Sequence, residues 1–146
     1  MIKNRKGYTL IELLTVLTLL SIFLGPLLNV FMNVSKLIYK TIDYSELRNE
    51  AICMSVFVTN RLEKTKEIAI GENYYLLKGS NESYRFRIHR NKCYVTEGND
   101  FRNQDVLYTD HMKELNIKRE VYGWSYKIIL KKGSVKYEIE KRIYID

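Results

Sequence analysis

The sequence predicts an α+β fold: one long amino-terminal helix, membrane-spanning in its first half, packed on a carboxy-terminal antiparallel β-sheet. Three observations predict it. Residues 13–35 are 23 consecutive positions without a charged side chain, and a helical span needs about 20. Beyond them Leu47, Ala51, Met54, Val58 and Leu62 recur at steps of three and four, the spacing of a helix with a single apolar stripe. After Gly71 the period shortens to two: Tyr84, Phe86 and Ile88 alternate with Arg85, Arg87 and His89, as in a strand with one face turned inward.

The apolar run tolerates Thr15, Thr18, Ser21 and Asn29, because hydroxyls and amides can bond back to the helix or across to neighbouring helices. Lys3, Arg5 and Lys6 precede it, and only Lys36 and Lys40 closely follow. That slight bias places the amino terminus in the cytoplasm and everything after about residue 36 outside. Gly25-Pro26 falls in mid-span. Proline removes a helix hydrogen bond and crowds the preceding turn, which predicts a kink or local melting there. The expected organisation is a head at 1–7, a span at 8–35 and an extracytoplasmic domain at 36–146. That domain divides into an amphipathic helix at 36–70, stopped by Gly71, and a sheet at 71–146.

Within the sheet, strands are expected at Ser83–His89 and 93–96, turned by Arg90-Asn91-Lys92. Two more, at 121–130 and 135–139, are joined by Lys131-Lys132-Gly133-Ser134, where glycine supplies the positive φ many hairpins need. The stretch 142–145 is another β-like run. Trp124, Tyr122, Tyr126, Tyr137 and Tyr144 suit half-buried sheet positions by packing alone. Exposed subunit contacts are the alternative for them. Pro26 is the only proline, and no repeat or linker separates anchor from domain.

Charge excludes little but indicates a class. The chain has 24 Lys+Arg against 17 Asp+Glu, a net +7. Without Lys3, Arg5 and Lys6 the balance is 21 against 17, or +4. Bases and acids alternate downstream, which describes a solvated mixed-charge surface and not a nucleic-acid binder. Arg85 and Arg87, beside Arg90, Lys92 and the aromatics Tyr84, Phe86 and Tyr94, form one candidate contact for single-stranded DNA. Tyr84 and Phe86 fall on the opposite strand face from the two arginines, which favours a core role for the rings.

Catalytic chemistry has no constellation behind it. The sequence has no GxGxxG, GxxxxGK[ST], HExxH or GxSxG. Asp110-His111 has only Tyr108 and Thr109 nearby as nucleophiles, and nothing orients them. Two cysteines without a CxxC pair, with His89 and His111 poorly spaced to help, do not compose a zinc site. No enzyme, metal or cofactor is therefore expected. A Cys53–Cys93 disulfide is open to a domain outside the cytoplasm, with two buried free thiols as the alternative.

A secretory signal would place small residues after its apolar core. Here the small residue, Gly7, comes before it, in Lys6-Gly7-Tyr8-Thr9-Leu10-Ile11-Glu12. This stretch resembles the processing site of type IV prepilins and pseudopilins, with Tyr8 where that family more often has phenylalanine. The resemblance covers about the first 30 residues. It implies that a prepilin peptidase cuts after Gly7 and that Tyr8, the new amino terminus, is N-methylated. It also implies that an inner-membrane assembly platform draws the subunit from the lipid bilayer into a filament with other pilin or pseudopilin subunits. The protein would pass from the plasma membrane, spanned once, to the cell surface.

Glu12 then has a physical reason to exist. It lies four residues beyond the new amine, on the same side of the helix. A carboxylate in the first turn also suits the positive end of the helix dipole. A charge at mid-span costs about 3 kcal/mol, so a partner is expected. The ammonium of Tyr8, in the same chain or a neighbouring subunit, is the best one. The strand order loosely resembles minor pseudopilins of the competence or type II secretion kind. The alternative is a single-span anchored sensor or binding module that is never processed.

Overall fold

A computed structural model describes residues 9–98 and 105–145. Helix α1, Leu10–Leu62, opens the described chain, and the strands follow as β1 Thr65–Ile70, β2 Tyr74–Gly79, β3 Ser83–His89, β4 Lys92–Glu97, β5 Val106–Thr109, β6 Met112–Glu120, β7 Gly123–Lys132 and β8 Val135–Tyr144. The chain divides into two units, one ending at Thr41 and the other beginning at Ile42.

In the first unit, α1 exposes its apolar side chains all round, Leu13, Leu17, Phe23, Leu27 and Phe31 among them. Among the described residues α1 is the one helix long and apolar enough to cross a membrane. Thr15 and Thr18 turn their hydroxyls back to donate to the carbonyls of Ile11 (2.9 Å) and Leu14 (3.0 Å). This keeps polar atoms satisfied where hydrocarbon would offer none. At Gly25-Pro26, where a kink or local melting is expected, α1 is not interrupted. α1 stays helical through Pro26, whose missing N–H costs the carbonyl of Ile22 one intrahelical bond.

In the second unit the remaining turns of α1 bury the predicted stripe: Leu47, Ala51, Met54, Val58 and Leu62 are fully enclosed. They meet Leu77, Phe86 and Cys93 from one direction and Met112, Ile117, Tyr126, Ile128 and Leu130 from another. Those two sets come from two antiparallel sheets, one ordered β1-β2-β3-β4-β5 and one ordered β6-β7-β8. The chain steps from the first sheet to the second through Asp110 and His111 alone.

The helix ends at Leu62, so the expectation of helix to residue 70 is corrected: residues 65–70 are strand β1. The Thr65 hydroxyl donates to the Arg61 carbonyl (2.7 Å) and closes the last turn. A bulge between Thr65 and Glu67 then places buried Thr65 and half-buried Ile68 three apart. That spacing prolongs the helical stripe in the sequence while the backbone has already become a strand. Gly71 serves the β1–β2 turn, its N–H donating to the Tyr74 carbonyl (2.9 Å).

The β3–β4 turn falls where expected, with Arg90 and Asn91 both at positive φ (49° and 64°), as a two-residue hairpin loop demands. Gly133 likewise takes φ 57° between β7 and β8. The two β-like runs at 135–139 and 142–145 merge into β8, and the strand expected to begin at 121 begins at Gly123.

Candidate functional site

The amino-terminal candidates divide at the edge of the described chain. Gly7 and Tyr8 lie outside the described residues. Glu12 lies within them, in the first turn of α1. Its carboxylate accepts the Thr9 backbone N–H at 2.9 Å, and its own N–H donates to Thr9 Oγ1 at 3.3 Å. The Thr9 hydroxyl also donates to Glu12 Oε2 at 3.2 Å. This reciprocal pair is a capping box, carried by the T-x-x-E spacing of Thr9 and Glu12. The carboxylate thus has a hydrogen-bonding partner in its own chain. Gly25 has open space around it, so packing within the chain does not require a glycine there.

Arg85 and Arg87 project from β3, on the face opposite Tyr84 and Phe86, as the alternation predicts. Asp105 is set against both guanidiniums, pairing tightly with Arg87 and lying 3.6 Å from Arg85. The Thr96 hydroxyl donates to the same carboxylate. That hydrogen bond, then the charges of Arg87 and Arg85, hold the Asp105 carboxyl below the usual range. An acid built into the patch is the opposite of what a phosphate backbone would select. Tyr84 is buried, and its hydroxyl donates to Glu82 (2.6 Å) and Glu97 (3.1 Å). Its ring lies beneath the Arg61 guanidinium at 4.3 Å.

Of the two states open to the cysteines, Cys53 and Cys93 are both free thiols here, with only Cys93 buried. Cys93 is enclosed in the core, and burial pushes its thiol up to about 12, well above the reactive range. Cys53 sits on an exposed side of α1, away from the buried stripe. The tyrosines separate. Tyr126 is buried and Tyr137 packs edge-on against Tyr44 (5.3 Å), as packing predicts. Tyr122 and Tyr144 are 74 % and 73 % exposed. Trp124 is buried, with Arg119 against its ring.

Sequence spacing missed one grouping altogether. Glu46 and Glu50 stand one turn apart on α1, and His111 reaches them from the corner between β5 and β6, with all three ligand-bearing atoms within 4.8 Å of one another. Sixty-one positions separate Glu50 from His111, so no short motif could reveal it.

Residues 2–28 match the family model of the prokaryotic N-terminal methylation motif. Comparison with curated proteins and with solved structures finds no match. The motif supports a type IV pilin-like chain. Its residues 10–28 fall on α1, whose length and composition suit a single membrane anchor, and residues 47–62 of α1 pack on the antiparallel sheets.

Proposed function

We propose that this chain is the precursor of a minor pilin or pseudopilin. It is inserted in the plasma membrane with its head in the cytoplasm, cut after Gly7 by a prepilin peptidase and methylated on Tyr8. It is then assembled with other pilin-like subunits, through the inner-membrane assembly platform, into a filament serving DNA uptake, secretion, or motility and adhesion. The observation that carries this reading is Gly7 preceding in sequence, by three positions, the apolar helix that opens at Leu10 and holds Glu12 in its first turn, within the matched segment 2–28. The exposed apolar surface of α1 up to Val34 supports it, because such a surface needs lipid or neighbouring helices to cover it. The role is structural, with no catalytic step assigned to any residue.

Mass spectrometry of the protein extracted from its own membrane tests the proposal. A polypeptide beginning at Tyr8 and one methyl group heavier supports it. One retaining residues 1–7, in cells whose processing enzyme is active, overturns it. Gly7→Ala should slow the cut.

A second reading, an unprocessed single-span anchor for an extracytoplasmic binding or sensor module, draws on the Thr9–Glu12 capping box. That contact gives Glu12 a use that needs no cleavage. An intact Met1 would select this reading.

A further inference from the structure

We propose that Glu46, Glu50 and His111 form a binding site for a divalent cation of the zinc type, clamping α1 to the corner where the chain passes between its two sheets. His111 Nδ1 lies 3.0 Å from Glu50 Oε2 and 3.3 Å from Asp110 Oδ1. With zinc–ligand bonds of about 2.0–2.2 Å, two ligands of a tetrahedral site stand about 3.4 Å apart. The His111 and Glu50 donors therefore need to spread by only tenths of an ångström to admit the ion, while Glu46, within 4.8 Å of both, moves in to it. Glu46, in the same group, supplies a third ligand. Two carboxylates balance a 2+ charge, and an imidazole nitrogen selects zinc-like ions over calcium or magnesium, which take oxygen ligands.

The ligands are held as metal ligands usually are, by a second layer of hydrogen bonds. Thr109 Oγ1 donates to Glu50 Oε2 at 2.9 Å, and the backbone N–H of His111 donates to Thr109 Oγ1 at 3.1 Å. The backbone N–H of Lys131 donates to the His111 carbonyl at 2.8 Å, tying the corner to β7. His111 is itself only 17 % exposed at its side chain. One group opposes the ion. Lys132 Nζ lies 2.5 Å from Glu46 Oε2 and 3.1 Å from Asp43 Oδ1, so its ammonium holds Glu46 while no metal is bound. Asp43 can keep Lys132 when Glu46 swings to the ion. Lys132 is thus a built-in competitor that sets how tightly the cation binds.

The full chain in detergent micelles, titrated calorimetrically with zinc chloride, tests this. One ion per chain is expected, with a raised unfolding temperature and no response to calcium. His111→Asn should abolish binding, Thr109→Ala should weaken it about tenfold, and Lys132→Met should tighten it. His89→Asn should leave it unchanged. Equal zinc affinity in the wild type and His111→Asn, no zinc binding by the wild type, or loss of binding in His89→Asn overturns the proposal. If circular dichroism shows that His111→Asn does not fold, Lys132→Met decides: an affinity no tighter than wild type overturns the site.

Discussion

The hydroxyl of Tyr126, on β7, lies 2.7 Å from Ser55 Oγ, on α1. Tyr126 is 1 % exposed. Its O–H donates to the Ser55 carbonyl at 2.9 Å, which leaves the phenol oxygen to accept from the hydroxyls of Ser55 and of Thr59, the latter at 2.8 Å. A polar contact of this kind inside an apolar core fixes how the helix turn sits on the second sheet, because any other rotation strands a buried donor. Tyr126→Phe should therefore destabilise the domain by about 1–3 kcal/mol. Ser55→Ala should cost less, since the phenol keeps two partners. Denaturant unfolding of both single variants and the double variant checks it. Strict additivity would mean that the two groups do not act together.

Gly123 opens β7 at φ 153°, a conformation that side chains rarely adopt. A Cβ placed there would stand 1.9 Å from the carbonyl oxygen of Ile143 on the paired strand β8. That obstacle is backbone and cannot rotate away. Gly123→Ala should cost about 1–3 kcal/mol from strain, with the clash adding to it. Gly133→Ala, at φ 57° in open space, should cost only the conformational part. Thermal unfolding of the pair separates clash from strain, and equal melting temperatures would refute the clash.

Arg85 and Arg87 are committed to Asp105, so their removal should be felt in stability before it is felt in binding. Replacing both with serine should lower the melting temperature while retention on single-stranded DNA stays at the wild-type level. A clear drop in DNA retention by the folded variant would restore the nucleic-acid role. Asp105→Asn should also destabilise at neutral pH. Because the folded carboxyl is held below its ordinary value, its contribution is present above that value and fades as pH falls through the acid range.

Glu138 on β8 gives a sharper pH dependence. Lys127 and Lys136 lie 2.5 Å and 2.8 Å from its carboxylate. The hydrogen bond from Lys127, then that from Lys136, pulls the Glu138 carboxyl down to about 2. A depressed carboxyl stabilises the fold above its unfolded value and loses that contribution on acidification. Wild type and Glu138→Gln should differ at neutral pH, converge between about pH 4.5 and pH 2, and be equal below. The difference should also shrink in about 1 M salt, where charges are screened within about 3 Å. An undiminished difference below pH 2 would assign the effect to packing.

The parts of this fold legible in the sequence are those where one regular period governs burial. The stripe from Leu47 to Leu62 and the alternation of β3 are such parts. Bulges hid others. In β6 a shift between Met112 and Glu114 brings Met112, Leu115 and Ile117 to one buried side. Its first step is therefore three and not two, amid Lys and Glu residues that favour helices. The same device disguised β1 as helix. β2, Tyr-Tyr-Leu-Leu-Lys-Gly, offers an apolar run without alternation, so neither period shows. The His111 grouping was illegible for a different reason. It exists only because two sheets fold around one helix, and no local rule encodes that.

The Thr9–Glu12 contact separates two roles for one carboxylate. Glutamine at position 12 can still accept the Thr9 N–H, since a capping box works with either Glu or Gln, but it carries no charge to attract an amine. Leucine can do neither. Thr9→Val keeps the charge and removes the hydroxyl half of the box, which should cost the helix start about 1 kcal/mol. All three variants should insert in the membrane, because the apolar run is untouched. If Glu12 acts by pairing with the Tyr8 ammonium, Glu12→Gln and Glu12→Leu should both be missing from sheared filaments while Thr9→Val is incorporated. If Glu12 acts only by starting its own helix, Glu12→Gln should enter filaments normally and Thr9→Val should be impaired. Immunoblots of the membrane and sheared fractions, read against total subunit, distinguish the outcomes. Normal incorporation of Glu12→Gln would refute charge pairing as the reason an acid stands at the mouth of this span.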